Sequence, residues 1–179
     1  MIYHLKKSQI SLLKTQKTFL ESNHTAYYKT PLGTAKIIGN NDGIMSVSVL
    51  DDEISTTFSI PECLQDCVTQ LDEYFNDSRK EFHLKLNPQG TDFQKSVWTE
   101  LLNISFGKSR TYLEQSKKLG DVKAIRAVAS ANGKNPIWII VPCHRVIGSD
   151  GSLTGYAGGL WRKKWLLEHE SGIKQQTLF

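Results

Sequence analysis

The sequence contains no run of about 18 or more apolar residues, so no segment is built to cross a membrane as a helix. A signal-peptide core is also missing. Lys6, Lys7, Lys14 and Lys17 stand near the start, but polar residues break up the apolar ones between them. Cysteine is scarce: Cys63, Cys67 and Cys143 are an odd number without disulfide-framework spacing, which excludes a disulfide-stapled secreted fold and suits a reducing compartment. A soluble intracellular protein is expected. Cys63 and Cys67 lie one helical turn apart, but even with His83 they fall short of the four ligands of a structural zinc site, so no metal is expected. No Gly/Ser-rich or Pro-rich linker divides the chain.

Charge is unevenly spread over the 179 residues. Residues 25–85 hold five basic and ten acidic groups, whereas residues 86–179 hold thirteen basic and seven acidic ones. The basic half favours a polyanionic partner such as nucleic acid, although solvated lysines give the same count.

Residues 1–24 read as an irregular or loosely helical arm. Thr25–Thr30, Thr34–Gly39 and Ile44–Leu50 read as strands, with turns at Pro31-Leu32-Gly33 and Asn40-Asn41-Asp42-Gly43. A helix from Pro61 to about Phe75 puts Cys63, Cys67, Leu71 and Tyr74 on one face. Residues 25–86 therefore form a small α/β domain of sheet plus helix. Asn87-Pro88-Gln89-Gly90 is turn-forming, and a second, mostly helical domain is expected over residues 87–179.

In that domain Thr91-Asp92-Phe93-Gln94 fits a capping box, with Phe93, Val97 and Leu101 marking a buried face. Thr111-Tyr112-Leu113-Glu114 fits another, opening a helix that ends at Gly120; Asp121 caps a third helix, Val122–Asn132. Two short helices about a glycine turn make a helix-turn-helix pattern. Ala124, Ala127 and Ala131 form a face of small residues on the third helix, whose one arginine is Arg126. Such a face suits close approach to DNA of any sequence, since it offers little to read base edges with; packing against a neighbouring element explains it equally well. The last helix, Leu160–Glu170, is expected to bury Leu160, Trp161, Trp165, Leu166 and Leu167.

One stretch carries chemistry. Ile137-Trp138-Ile139-Ile140-Val141 between Pro136 and Pro142 reads as a short buried strand, and Pro142 should end its pairing so that Cys143 stands exposed to a ligand. A free cysteine more often just packs, but His144 and Arg145 follow it directly. On an extended chain His144 points away from the sulfur, so a bridging water is the expected contact.

Asn135-Pro136 with Pro142-Cys143-His144-Arg145-Val146, together with Gly90-Thr91-Asp92-Phe93-Gln94, Val97-Trp98, Arg126-Ala127-Val128, Gly155-Tyr156-Ala157-Gly158-Gly159 and Trp165-Leu166-Leu167-Glu168-His169-Glu170, resembles the O6-alkylguanine-DNA alkyltransferases. The resemblance covers about residues 68–171 and implies a ribonuclease H-like N-terminal domain and a winged helix-turn-helix-like C-terminal one. It implies irreversible, single-turnover transfer of an alkyl group from O6 of a flipped guanine to Cys143, without a cofactor, and leaves O4-alkylthymine open as a second substrate. The expected partner is double-stranded DNA containing O6-alkylguanine, bound from the minor groove by a monomer, in the cytoplasm and at the nucleoid if the source is bacterial.

By the same resemblance, His144 is the water-relayed base, Glu170 its partner, Asn135 the hinge bracing the cysteine turn, and Tyr112 the proton donor to the leaving guanine. Arg126 fills the gap in the base stack, with Lys123, Ala124, Ala127, Ala131 and Tyr112 at the DNA. Trp138, Val146, Tyr156, Ala157 and Gly158 line the substrate pocket. Ser105 and Ala129 stand where the family commonly has proline and glycine. Three rivals predict other things. A non-catalytic lesion binder would lack Cys143, a helix-turn-helix regulator would need more base-reading side chains, and a thiol hydrolase would need an oxyanion hole that the sequence does not reveal.

Overall fold

A computed structural model describes residues 22–52 and 54–172; nearly all of the arm expected over residues 1–24 lies outside the described residues. The N-terminal part is an antiparallel meander of β1 (His24–Thr30), β2 (Gly33–Asn40) and β3 (Gly43–Leu50) in the order β1-β2-β3. Each strand falls within a residue of its expected limits. Helix α1 (Glu62–Phe75) packs across the sheet, burying Leu64, Cys67, Leu71 and Tyr74 against Ala26, Ala35, Ile37 and Val47. Full burial of an apolar side chain of this size contributes about 1.5–3 kcal/mol, and this shared face is what fixes the helix. Cys63, expected on that face, is only half-buried because Leu64 takes the inward position.

The free edge of β3 is covered by two later segments. Ile44 exchanges hydrogen bonds with Lys85 and Asn87 (2.8 Å each). Farther along, the Val47 amide donates to the Pro136 carbonyl (2.9 Å) and its carbonyl accepts from Trp138 (2.8 Å). The sheet therefore holds the very stretch that leads into Cys143. A side chain at Gly43, where φ is +133°, would put its Cβ 2.5 Å from the Lys85 carbonyl, so only glycine permits this approach.

Both capping boxes form. Thr91 opens α2 (Asp92–Leu101) in reciprocal bonds with Gln94, and Thr111 opens α3 (Tyr112–Lys118) with Glu114. On α2 the inward residues are Val97, Trp98 and Leu101; Phe93 is 43% exposed, because a first-turn side chain overhangs the helix end while Trp98 fills the core and donates to the Ala131 carbonyl at 2.9 Å. The third helix is not continuous. Asp121 caps a single 3-10 turn (Val122–Ala124), after which α4 (Ile125–Gly133) begins. Gln115 of α3 and Asn132 of α4 exchange buried amide bonds (3.2 and 2.7 Å), locking the two helices together. Two-residue strands β4 (Arg110–Thr111) and β5 (Val146–Ile147) pair in parallel.

Helix α5 (Leu160–Ser171) buries Leu166 as expected and half-buries Trp165 and Leu167, but its first turn reverses the expectation. Leu160 and Trp161 are exposed, and the inward stripe is Arg162, Lys163, Leu166 and Glu170. The charges are tolerated because each finds partners. Arg162 donates to the carbonyls of Leu32 and Gly158 (2.8 Å each) and pairs with Asp51, its guanidinium lying 4.4 Å from the Trp161 ring. Among the described residues no helix is long and apolar enough to cross a membrane.

Candidate active site

The apolar run before Cys143 is buried but is not a strand. Only Ile137 makes a bridge, to Val47; the chain then coils, with Ile140 donating to the Trp138 carbonyl (2.7 Å) and Val141 to that of Ile137 (3.0 Å). Ile139 sits at φ +64°, a left-handed conformation that costs a β-branched residue on the order of 1–3 kcal/mol. Its complete burial helps to offset that cost, and so does Asn135. The Asn135 amide nitrogen donates to the Val141 carbonyl (2.7 Å) and to Sγ of Cys143 (3.2 Å), while its Oδ1 accepts from the Ile137 amide (3.0 Å). One side chain thus holds both the coil and the sulfur.

Cys143, expected at a strand end, opens a 3-10 turn (Cys143–Arg145), half-buried beside a cavity of about 160 Å³. Asn135, Trp138, Tyr156, Ala157 and Gly158 line that cavity, along with Val47, Ser48 and Val49 of β3, a contribution no local signal announced. Val146 is not on this wall: it is fully buried, because pairing with Arg110 turns it into the core. Burial pushes the Cys143 thiol up, opposed by the Asn135 hydrogen bond and the charge of Lys163. At rest the thiol keeps its proton and needs an acceptor to become a nucleophile.

His144 and Arg145 turn inward. Nε2 of His144 lies 2.8 Å from Oε1 of Glu170, and Arg145 grips the same carboxylate from Nε (2.8 Å to Oε2) and Nη2 (3.0 Å to Oε1) while also donating to the Ile104 carbonyl. The Gly107 amide adds a bond to Oε2 (3.2 Å), at φ +69°, where a Cβ would lie 2.8 Å from the Glu170 carbonyl. Tyr74, read from sequence only as a core residue of α1, donates its hydroxyl to Oε1 at 2.9 Å. Nδ1 of His144 is buried without a partner among the described residues and remains able to serve a bridging water.

Burial alone would raise the Glu170 carboxyl; hydrogen bonds and charge from His144 and Arg145 outweigh it and hold the group down to about 2. Burial lowers His144, with Glu170 acting against that and the charges of Arg145 and Lys163 acting with it, so the imidazole rests neutral. Both shifts make the fold acid-labile. The contribution of Glu170 is complete above the ordinary carboxyl value of 4.5 and is lost as pH falls through about 2. His144 is disfavoured as a cation in the fold, so unfolding takes up a proton once pH drops below its ordinary 6.5. Urea denaturation is expected to show at least about 2 kcal/mol lost between about pH 7 and pH 3, and a flat profile would contradict the buried ion cluster.

Two further groups face the site. Tyr112 donates to the Thr154 carbonyl at 3.1 Å; burial, tempered by that bond and reinforced by Cys143, raises its pKa and keeps the phenol protonated. Fully buried Lys163 donates to the same carbonyl (2.9 Å) and lies 5.8 Å from the Tyr112 ring; burial brings its pKa down to about 8 against the opposing pull of Cys143. The sequence reading missed Lys163, although it shares a helical stripe with Leu166 and Glu170. Away from the cavity, Lys123, Arg126 and Ala127 are exposed and Ala124 is half-buried. Ala131 is not on that face: it is 3% exposed and packs under Trp98.

Comparison with known proteins agrees along nearly the whole described chain. Residues 23–88 match the model of the 6-O-methylguanine DNA methyltransferase ribonuclease-like domain, and residues 92–172 match that of the same family's DNA binding domain. A methylated-DNA-protein-cysteine methyltransferase of Methanosarcina acetivorans is 43% identical over 152 residues, which span 81% of this chain and 96% of the relative. The crystal structure of the Mycobacterium tuberculosis O6-methylguanine methyltransferase superposes with a TM-score of 0.76 at 40% identity, covering 88% of this chain and 98% of that one. The same organism's protein in complex with DNA gives 0.74 at 42%, over 82% and 91%. The half-buried thiol, its histidine and the carboxylate behind them thus sit in a chain that belongs to the 6-O-methylguanine DNA methyltransferase family.

Proposed function

We propose that this chain repairs DNA by moving the alkyl group from O6 of a modified guanine to Sγ of Cys143, once per molecule. The observation that carries this reading is the Cys143 sulfur beside a cavity, held by the Asn135 amide, next to an imidazole backed by a buried carboxylate. In the reaction the carbon–O6 bond breaks and a carbon–sulfur bond forms. The thiol proton passes by a water to His144, whose charge Glu170 stabilises. Tyr112 supplies the proton that guanine takes up as it leaves, help typically worth about 10² to 10⁴ in rate. The product is a thioether that water does not cleave, so each molecule is spent in one turnover.

DNA is proposed to lie across α3 and α4, with the lesion flipped toward Cys143 and Arg126 in the vacated stack. Arg126 is exposed, and it pairs with no carboxylate among the described residues, which supports that role. An O6-alkylated guanine pairs poorly, so flipping it costs less than flipping a normal base. The chain is read as two domains meeting near residue 86, with β3 forming part of the pocket wall.

The deciding experiment mixes the protein with a duplex carrying one O6-methylguanine and reads intact mass, then maps the peptide. A gain of one methylene on Cys143, saturating at one equivalent, supports the reading. Tight binding with unchanged mass would instead make the protein a damage recogniser.

A further inference from the structure

The carboxylate behind His144 is over-supplied with donors. An ionised carboxyl offers about four lone-pair sites. Oε1 of Glu170 faces three donors, His144 Nε2 at 2.8 Å, Tyr74 Oη at 2.9 Å and Arg145 Nη2 at 3.0 Å, and Oε2 takes two more, from Arg145 Nε and the Gly107 amide. Arg145 by itself neutralises the charge and holds it from two nitrogens, so the phenol is not needed to make burial of Glu170 tolerable. It also comes from elsewhere. Tyr74 lies on α1, 96 residues from Glu170, and its hydroxyl reaches into the C-terminal part of the chain.

The ring has no freedom to do otherwise. Tyr74 is completely buried, with Phe75, Phe82, Phe106 and the His169 imidazole around it at centroid distances of 5.0–6.1 Å. The end of α1 is tied to α5 a second time, by His169 Nε2 at 2.9 Å from the Tyr74 carbonyl and its Nδ1 at 3.4 Å from Asp77. Two successive residues of α5, His169 and Glu170, are thus fixed by the α1 terminus.

We propose that Tyr74 is a positioning residue for alkyl transfer: its hydroxyl draws negative charge from Oε1 of Glu170 and so sets how readily His144 accepts the proton of Cys143. Among the described residues, the other charged or titratable groups around this pair are Arg145 on the 3-10 turn, Lys163 and His169 on α5, and Tyr156 from the pocket loop. Arg145 and Lys163 disfavour the imidazolium and Glu170 favours it. Tyr74 weakens the one group that favours it. Removing the hydroxyl leaves Oε1 more negative and makes His144 a stronger base, one that is already protonated at higher pH.

The test is Tyr74→Phe in the full chain, with two readouts. The first is the titration of His144 by NMR of the histidine-labelled protein. Its midpoint is expected to rise by on the order of half a unit to one unit. The second is the pH profile of single-turnover transfer from an O6-methylguanine duplex. Its acid limb is expected to move up by the same amount, a roughly three- to tenfold slower transfer below the midpoint with the high-pH rate retained. A fluorinated tyrosine at residue 74, a stronger donor, is expected to shift both the other way, and it decides the question if the phenylalanine variant fails to fold. A lower melting temperature with an unmoved His144 midpoint and an unmoved profile would reduce Tyr74 to packing and overturn the proposal. The rate readout rests on the alkyl-transfer reading, but the titration does not. A wild-type protein that transfers nothing would sink that reading while the His144 midpoint still judged Tyr74.

Discussion

Cys143→Ala is expected to bind an O6-methylguanine duplex as the native chain does and to gain no mass from it. The change is confined to one atom's worth of chemistry. Sγ receives a side-chain hydrogen bond from Asn135, and that amide keeps its bond to the Val141 carbonyl when the sulfur is gone. His144, Arg145 and Glu170 bond among themselves without involving the thiol, so their geometry survives. Stability should therefore change by no more than about 1 kcal/mol. Intact mass and gel-shift on the same sample give the answer. Transfer surviving in this variant would place the nucleophile on another residue, Cys63 being the half-buried alternative.

Glu170→Ala is expected to be the most damaging single change to stability. It strands the Arg145 guanidinium inside the protein and leaves the Tyr74 hydroxyl, the His144 Nε2 and the Gly107 amide without their acceptor. Removing one partner of a buried ion pair costs roughly 3–5 kcal/mol, because the remaining charge is buried uncompensated. For a chain of this length that corresponds to a melting point lower by roughly 6–20 °C. Transfer should slow by about 10² or more at temperatures where the variant is still folded, since His144 loses the group that stabilises its charged form. Calorimetry together with single-turnover kinetics separates the two effects. A fall of under about 1 kcal/mol would mean that water reaches the cluster on removal of the carboxylate.

What sequence alone disclosed depended on the range of the signal. The capping boxes at Thr91 and Thr111 were legible because both partners lie within four residues, and the three strands because alternation and turn residues are local. The coil before Cys143 was not. A short apolar run buried on all sides looks the same whether it pairs or turns, and Ile139 carries a positive φ with none of the glycine that usually announces one. Helix α5 misled for a related reason. Apolar Leu160 and Trp161 were expected inside, but Arg162 finds its acceptor at Leu32, 130 residues away, and that partner has no trace in the local pattern. Val146 and Ala131 were placed on functional faces by position within a motif, and each is turned inward by a contact from another element, Arg110 and Trp98 respectively. Tyr74 was seen as core, which it is, but its hydroxyl answers to a carboxylate no sequence window contains.

The spans of these contacts also order events in time. Glu170 meets His144 across 26 residues, Gly107 across 63 and Tyr74 across 96, and Arg162 reaches back 130 to Leu32. Contacts of such long range form late, after their loops have closed, and synthesis delivers α5 last of all the described elements. A nascent chain that has already exposed Cys143 to the solvent therefore lacks the carboxylate behind its histidine, the lysine beside its phenol and the arginine that fixes its pocket wall. The buried ion cluster behind His144 is therefore complete only once α5 has packed.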